Sequence, residues 1–197
     1  MALVPGGCLA LVSLLAACAP VASVGKRMDA SGNVEVRKMQ VYSFASLHAM
    51  GSGRLHDDAR KLDQALAERL QAARTDAVVA DVEALMRRHG LAVEIRVADS
   101  EGRERSTTLP DRDLLAAQLS EESASGVTHR LVIVPLRLKL DHATGIAHGV
   151  LHWQVEAAGD SSPVAVGLMR YTADARGYPA RRMASSLVAK LHALGIR

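Results

Sequence analysis

Beyond residue 18 this 197-residue chain has no cysteine; the two it holds are Cys8 and Cys18. That excludes a disulfide, a thiolate-bound metal and a thiol nucleophile from everything downstream, and leaves the fold to be held by its core alone. Aromatic residues are as scarce: Tyr42, Phe44, Trp153, Tyr171 and Tyr178 are the full set. Stacking surfaces for sugars or single-stranded nucleic acid need several clustered rings, so neither is expected. No run of Lys or Arg exceeds two and the formal net charge is only +3, which lacks the electrostatic footprint of a nucleic-acid binder. Nor is there an apolar run near the roughly 20 residues that a membrane-spanning helix needs.

What the chain does have is a short uncharged stretch, Cys8 to Ala17, with the first Lys only at Lys26. A brief apolar segment closed by small residues has the form of a secretory signal. Here the small residues lead directly into a cysteine, as Leu15-Ala16-Ala17-Cys18. This box resembles the lipobox of bacterial lipoproteins. The resemblance implies cleavage before Cys18, acylation of that cysteine, and a covalent lipid that holds the chain to a membrane. The segment Met1 to Gly7 departs from the usual pattern in having no Lys or Arg. Ala19 follows the cysteine; lipoproteins kept in the inner membrane often carry Asp there, so the resemblance implies the outer membrane, with the domain facing the periplasm.

Removal of residues 1–17 leaves a chain long enough for one domain. Pro20, Gly25, Ser31, Gly32 and Asn33 make residues 18–33 read as a lipidated tether. A single α+β domain is then expected over 34–197. Lys38 to Ala45 is dense in Val, Tyr and Phe and suits a buried strand. Ala59, Leu62, Leu66, Leu70 and Ala73 have helical spacing, as do Val79, Val82, Leu85 and Met86, with Gly90 as a cap. Leu91, Val93, Ile95 and Val97 alternate like a half-buried strand, and Asp99 to Arg105 reads as a charged loop or ribbon tip. Asp111 is placed to cap a short helix through Leu119.

Three strands follow, joined by short turns that imply antiparallel pairing. In the first, Val132, Val134, Leu136, Leu138 and Leu140 form one apolar face. In the second, Gly149, Leu151, Trp153 and Val155 face one way, and His148, His152, Gln154 and Glu156 the other. Val164, Val166 and Leu168 begin the third. Pro179 opens a last helix, with Met183, Leu187, Leu191 and Leu194 as its stripe and Gly195 as its cap. The sum is a two-layer α+β domain: helices on one face of a mainly antiparallel sheet, in the order strand, helix pair, strand, helix, three strands, helix. That layout, with Ser125-Gly126-Val127-Thr128-His129 leading into the meander and Ala143-Thr144-Gly145 in its hairpin turn, resembles the domain of the TolB amino-terminal part, the curli-secretion lipoprotein and the lipoprotein activators of penicillin-binding proteins. No functional residue follows from this second resemblance.

The chemistry-bearing residues do not assemble into a catalytic motif. His148 and His152 leave the same strand face, with His142 in the turn before them, but strand rise puts two such residues roughly 13 Å apart, too far to chelate one ion. Gly51-Ser52-Gly53-Arg54 lacks the third glycine of a dinucleotide loop and the Gly-Lys-Thr end of a P-loop. No Gly-x-Ser-x-Gly is present. The expectation is a non-catalytic envelope lipoprotein that needs no cofactor and no metal. It would bind or assemble another envelope protein or polymer through a polar sheet face carrying Arg137, Lys139, His148, His152, Gln154 and Glu156. The alternative is a periplasmic hydrolase or metal-binding protein built on the histidine-bearing hairpin.

Overall fold

A computed structural model describes residues 21–29, 32–45, 53–80, 82, 93–98, 104–109, 126–158, 162–174 and 177–197. The elements in chain order are β1 (Val21–Arg27), β2 (Lys38–Ser43), α1 (Gly53–Ala72), β3 (Asp76–Val79), β4 (Val93–Ala98), β5 (Glu104–Leu109), β6 (His129–Asp141), β7 (Ile146–Ala157), β8 (Pro163–Ala173) and α2 (Ala180–Ala193). Six strands form a mixed sheet in the order β1-β8-β7-β6-β2-β3, and β4 with β5 makes a separate hairpin. The fold is α+β, with two helices packed against one face of that sheet. Pairing is antiparallel from β1 to β6, while β2 runs parallel to both β6 and β3.

The core lies between the sheet and the helices. Leu62, Ala65, Leu66 and Leu70 form the buried stripe of α1, and Met183, Ala184, Leu187, Val188 and Leu191 that of α2. They meet Met39, Val41, Leu131, Ile133, Leu151, Trp153, Val155 and Met169 from the strands. After α1, Arg74 takes a positive φ of 66°, and the Thr75 amide donates to the Leu70 carbonyl at 2.9 Å. This left-handed step ends the helix and releases the chain into β3. The chain between the two stretches of helical spacing is therefore a strand, parallel to β2, and it takes in Val79. Gly195, with φ of 75°, closes α2, and the Ile196 amide donates to the Leu191 carbonyl at 3.0 Å.

Two expectations need correction. The first concerns the tether. Residues 21–27, inside the stretch read as a linker, form β1 and pair with β8 along its length, from Val21 opposite Tyr171 to Arg27 opposite Ala165. Of the small residues that suggested flexibility, Gly25 is small for packing. The Trp153 ring lies across β8 and β1, and a Cβ added at Gly25 or Gly167 would stand 2.3 or 2.2 Å from its Cζ2. Trp153 Nε1 also donates to Ser23 Oγ at 3.2 Å. Past β1, Arg27 Nη1 donates to the Leu194 carbonyl at 3.0 Å, and the Val34 amide to that of Gly195 at 2.8 Å. Residues on both sides of position 33 are thus tied to the end of α2.

The second concerns β6. The apolar face expected from Val132 to Leu140 is split by a bulge between Pro135 and Arg137. Before it, Leu131 and Ile133 face the helices and Val132 opposes Gln154 on the other side; after it, Leu138 opposes Gly149 and Arg137 opposes Val150. One extra residue, the exposed Leu136, reverses the alternation. The charged loop or ribbon tip expected at 99–105 falls between the antiparallel strands β4 and β5, with Glu104 and Arg105 already in β5. The helix expected over 79–89 with its Gly90 cap, the Asp111 helix, Gly51-Ser52 and the whole segment through Cys18 lie outside the described residues, save for Val79 and Ala80 and a helical position at Val82.

Candidate functional site

The sheet face away from the helices carries most of the residues singled out from sequence. Its rows are set by strand register. Arg137 of β6, Val150 of β7, Arg170 of β8 and Ala22 of β1 lie side by side. Lys139, His148 and Thr172 form the next row. Register alone thus gathers the side chains of these two rows at one end of the face. They line a trough of about 480 Å³. Arg137, Lys139, His148 and Arg170 are exposed there. Thr172 Oγ1 and His148 Nδ1 stand 3.5 Å apart. The nearby carboxylate of Asp141 accepts from the Ala143 amide at 2.9 Å and the Thr144 amide at 3.4 Å. Hydrogen bonds within the turn, that to the Thr144 side chain first, hold it below the usual carboxylate range.

Further along the same face the polar residues change character. His152 is half-buried, whereas Gln154 and Glu156 are buried. The solvent-facing row expected to run through Glu156 is therefore interrupted. Arg130, 0% exposed, sits opposite Glu156 on β6, with Nη1 to Oε2 at 3.9 Å. Gln154 Nε2 donates to the other carboxylate oxygen of Glu156. Val132 and Tyr42 of this region are also buried, and β4 of the separate hairpin lies against β6. The burial of Arg130, Val132, Gln154 and Glu156 shows that this end is covered.

The three histidines of the metal alternative stay apart in register: His148 opposes Lys139, His152 opposes Val134, and His142 is exposed in the turn. Among the described residues no three His, Cys, Asp or Glu side chains come together in a way that would hold a metal ion.

Sequence reading missed Arg170, the third cation of the trough. The signal was present: Val166, Leu168, Arg170 and Thr172 share one parity, and the short β7–β8 connection carries them onto the face of His148 and His152. It also missed a half-buried acid on the helix side. Burial pushes the Asp63 carboxyl of α1 up to about 6, with Ser43 and Arg60 acting against the rise. Near it the Tyr171 and Tyr178 rings pack edge to face at 5.2 Å, and burial pushes the Tyr171 hydroxyl up to about 12. Burial favours the neutral form of each of these groups. A second cleft of about 410 Å³ lies between Glu68 and Lys61 of α1 and Arg181 and Arg182 of α2.

No family model and no curated protein matches the sequence. Among solved structures, the chain is similar to a PelC dodecamer from Paraburkholderia phytofirmans, at 13% identity and a TM-score of 0.48, over 90% of this chain and 99% of that one. A point variant of the same protein, also a dodecamer, gives 12%, 0.49, 91% and 100%. The chain is also similar to lipoprotein GNA1162 from Neisseria meningitidis, at 9% identity and a TM-score of 0.43, over 80% and 97% of the two chains. These distant likenesses carry nothing of the neighbours' assembly over to this chain.

Proposed function

We propose that this chain is a membrane-anchored envelope lipoprotein, acylated at Cys18, whose domain is a non-catalytic binding or assembly module. The observation that carries the reading is the box Leu15-Ala16-Ala17-Cys18 standing directly before a strand that begins at Val21. Between the acylation point and the sheet only Ala19 and Pro20 remain, so the lipid would hold the domain at the membrane surface rather than on a long leash. Several acyl chains on one residue give stable anchoring. Ala19 after the cysteine favours the outer membrane and a periplasm-facing domain. The resemblance to the TolB amino-terminal and curli-secretion lipoprotein domain belongs to the same reading and adds no residue to it.

Two surfaces suit a partner, which we take to be another envelope protein or polymer. One is the sheet face. The other is the edge of β3, where Val78 and Val79 are exposed and, among the described residues, no strand pairs with the outer side; an open edge accepts a further strand. Crosslinking in intact cells followed by pull-down tests the partner, and a domain that captures no envelope component overturns that part of the reading. Acylation is tested separately. Cys18→Ala should abolish lipid labelling and leave uncleaved precursor or a soluble form. Wild-type protein recovered unlabelled from the soluble periplasm would show the anchor to be wrong. The histidine-based metal alternative has no side-chain convergence in its favour.

A further inference from the structure

We propose that the trough formed by Arg137, Lys139 and Arg170 is a binding site for the phosphate of an anionic phospholipid headgroup, which seats the domain edge-down on the membrane that anchors it. The inference rests on the anchor reading for its geometry and goes beyond it by assigning a second, electrostatic membrane contact to named residues.

Position is the first argument. Ala22 lines the trough and stands four residues after Cys18. Four residues of extended chain reach at most about 14 Å. An acylated Cys18 lies at the headgroup level by necessity, so the trough lies within about that distance of the headgroups, with no linker to carry it away. Because β1 is hydrogen-bonded to β8 through its whole length, the short leash is attached to a rigid sheet.

Charge is the second. Arg137, Lys139 and Arg170 are exposed, and none of them forms an ion pair with a described residue. Two strand spacings separate Arg137 from Arg170, about 10 Å, and one strand repeat separates Arg137 from Lys139, about 7 Å. Long side chains on such a grid can converge on one phosphodiester, and guanidinium groups match its paired oxygens. The Asp141 carboxylate, the acid closest in register, is already bonded to its own turn and leaves the cations uncompensated. The volume of 480 Å³ falls in the range of about 300–1,000 Å³ typical of small-molecule sites.

The test uses the full chain carrying Cys18→Ala, recovered without lipid, so that acyl chains do not mask headgroup preference. Partition is measured by co-sedimentation with vesicles of phosphatidylcholine and with vesicles containing phosphatidylglycerol. The leader, where it is retained, has no charged side chain and adds equally to both. Each cation near an anionic surface contributes about a fivefold gain, so three should give a preference on the order of 100-fold for the anionic vesicles. Arg137→Gln/Lys139→Gln/Arg170→Gln should abolish it. The charge-matched variant Arg69→Gln/Arg74→Gln/Arg181→Gln, on the helix layer, should keep it. Far-UV melting of each variant confirms that it is folded. A preference lost equally in both variants would mean that net charge alone acts, and would overturn the site. So would a preference that survives in the trough variant. Displacement by millimolar inorganic phosphate at constant ionic strength would assign the pocket to free phosphate and overturn the lipid. Mass analysis of the wild-type amino terminus stands apart from all of these: an unacylated Cys18 would defeat the anchor reading while leaving the partition result to be read on its own.

Discussion

At one end of the sheet face away from α1 and α2, Arg130 is buried against Glu156 and Gln154; at the other, Arg137, Lys139 and Arg170 stand in solvent without an ion-pair partner among the described residues. Both ends are built by the same strands, β6 and β7, and the bulge in β6 is what keeps Arg130 and Arg137 on one face. They differ in what lies above them. Around Arg130 the face is covered, with Val132, Gln154 and Glu156 buried beside it, and a charge taken out of water must then be met by an opposite charge. Beyond the Pro135/Arg137 bulge the face is open, and water solvates each cation at little cost. Charges under cover are constrained by folding. Charges in the open are not, and their concentration in one trough calls for a reason outside the domain's own stability.

The largest effect should come from breaking the covered end. Glu156→Ala takes the Glu156 carboxylate away from the guanidinium of Arg130, which is 0% exposed. Removing one partner of a buried pair typically costs about 3–5 kcal/mol. A urea or thermal melt should show a loss of that order, and Glu156→Gln, which retains the Gln154 neighbour and the side-chain volume, should lose less. An unchanged melting temperature in Glu156→Ala would mean that this end is wetter than the packing shows.

An intermediate effect is expected at Asp63, a half-buried acid on the opposite side of the sheet. Its folded-state value is raised from 3.8 to about 6 by burial, so the native state binds its proton more tightly than the unfolded state does. The sign follows by linkage: this group adds nothing unfavourable below about pH 4, and its penalty grows as pH rises through 6 and is complete above it. Asp63→Asn removes the ionisation. It should raise stability at pH 7 by about 1–2 kcal/mol, less than the full shift implies because the amide still has to be accommodated. At pH 4 the gain should vanish. A variant that is equally stabilised at both pH values would place the effect in packing rather than in the charge.

Much of this was legible in the chain. The α+β layering followed from periodicity: the stripes at Leu62, Leu66 and Leu70 and at Met183, Leu187 and Leu191 fall where the buried faces of α1 and α2 are. The inward set Leu151, Trp153 and Val155 of β7 was also readable from alternation. What escaped the sequence depends on contacts distant along the chain. Gly25 reads as a flexible linker residue until the ring of Trp153, far along the chain, is seen to occupy the space its side chain would fill. The bulge at Leu136 is a matter of register between two strands, and its local mark is Pro135, which cannot donate to the ladder; Leu136 itself keeps the parity of the apolar residues around it. Burial of Glu156 depends on cover that alternation on a single strand cannot report. The trough was half legible: Arg137, Lys139 and His148 share a face by parity, but Arg170 joins them only through the β7–β8 pairing.

The smallest effect, and the one that most sharpens the contrast between the two ends, is expected in the open trough. Arg137, Lys139 and Arg170 are exposed, and substitution of exposed residues away from caps and networks usually changes stability by no more than about 0.5 kcal/mol. Here there is a reason to expect the change to be favourable. Three like charges within about 10 Å repel one another, and no acid among the described residues pairs with any of them. Arg137→Gln/Lys139→Gln/Arg170→Gln should therefore leave the melting temperature of the free domain unchanged or slightly raised at low salt. The difference should shrink as salt screens the repulsion over a Debye length of about 10 Å at 0.1 M. A loss of more than about 1 kcal/mol would show that these side chains hold the sheet together as Arg130 does, and the distinction between the covered and the open end would fall. A neutral or stabilising result would show that folding does not need this cluster of positive charge, as expected of residues kept for a contact the isolated domain does not make.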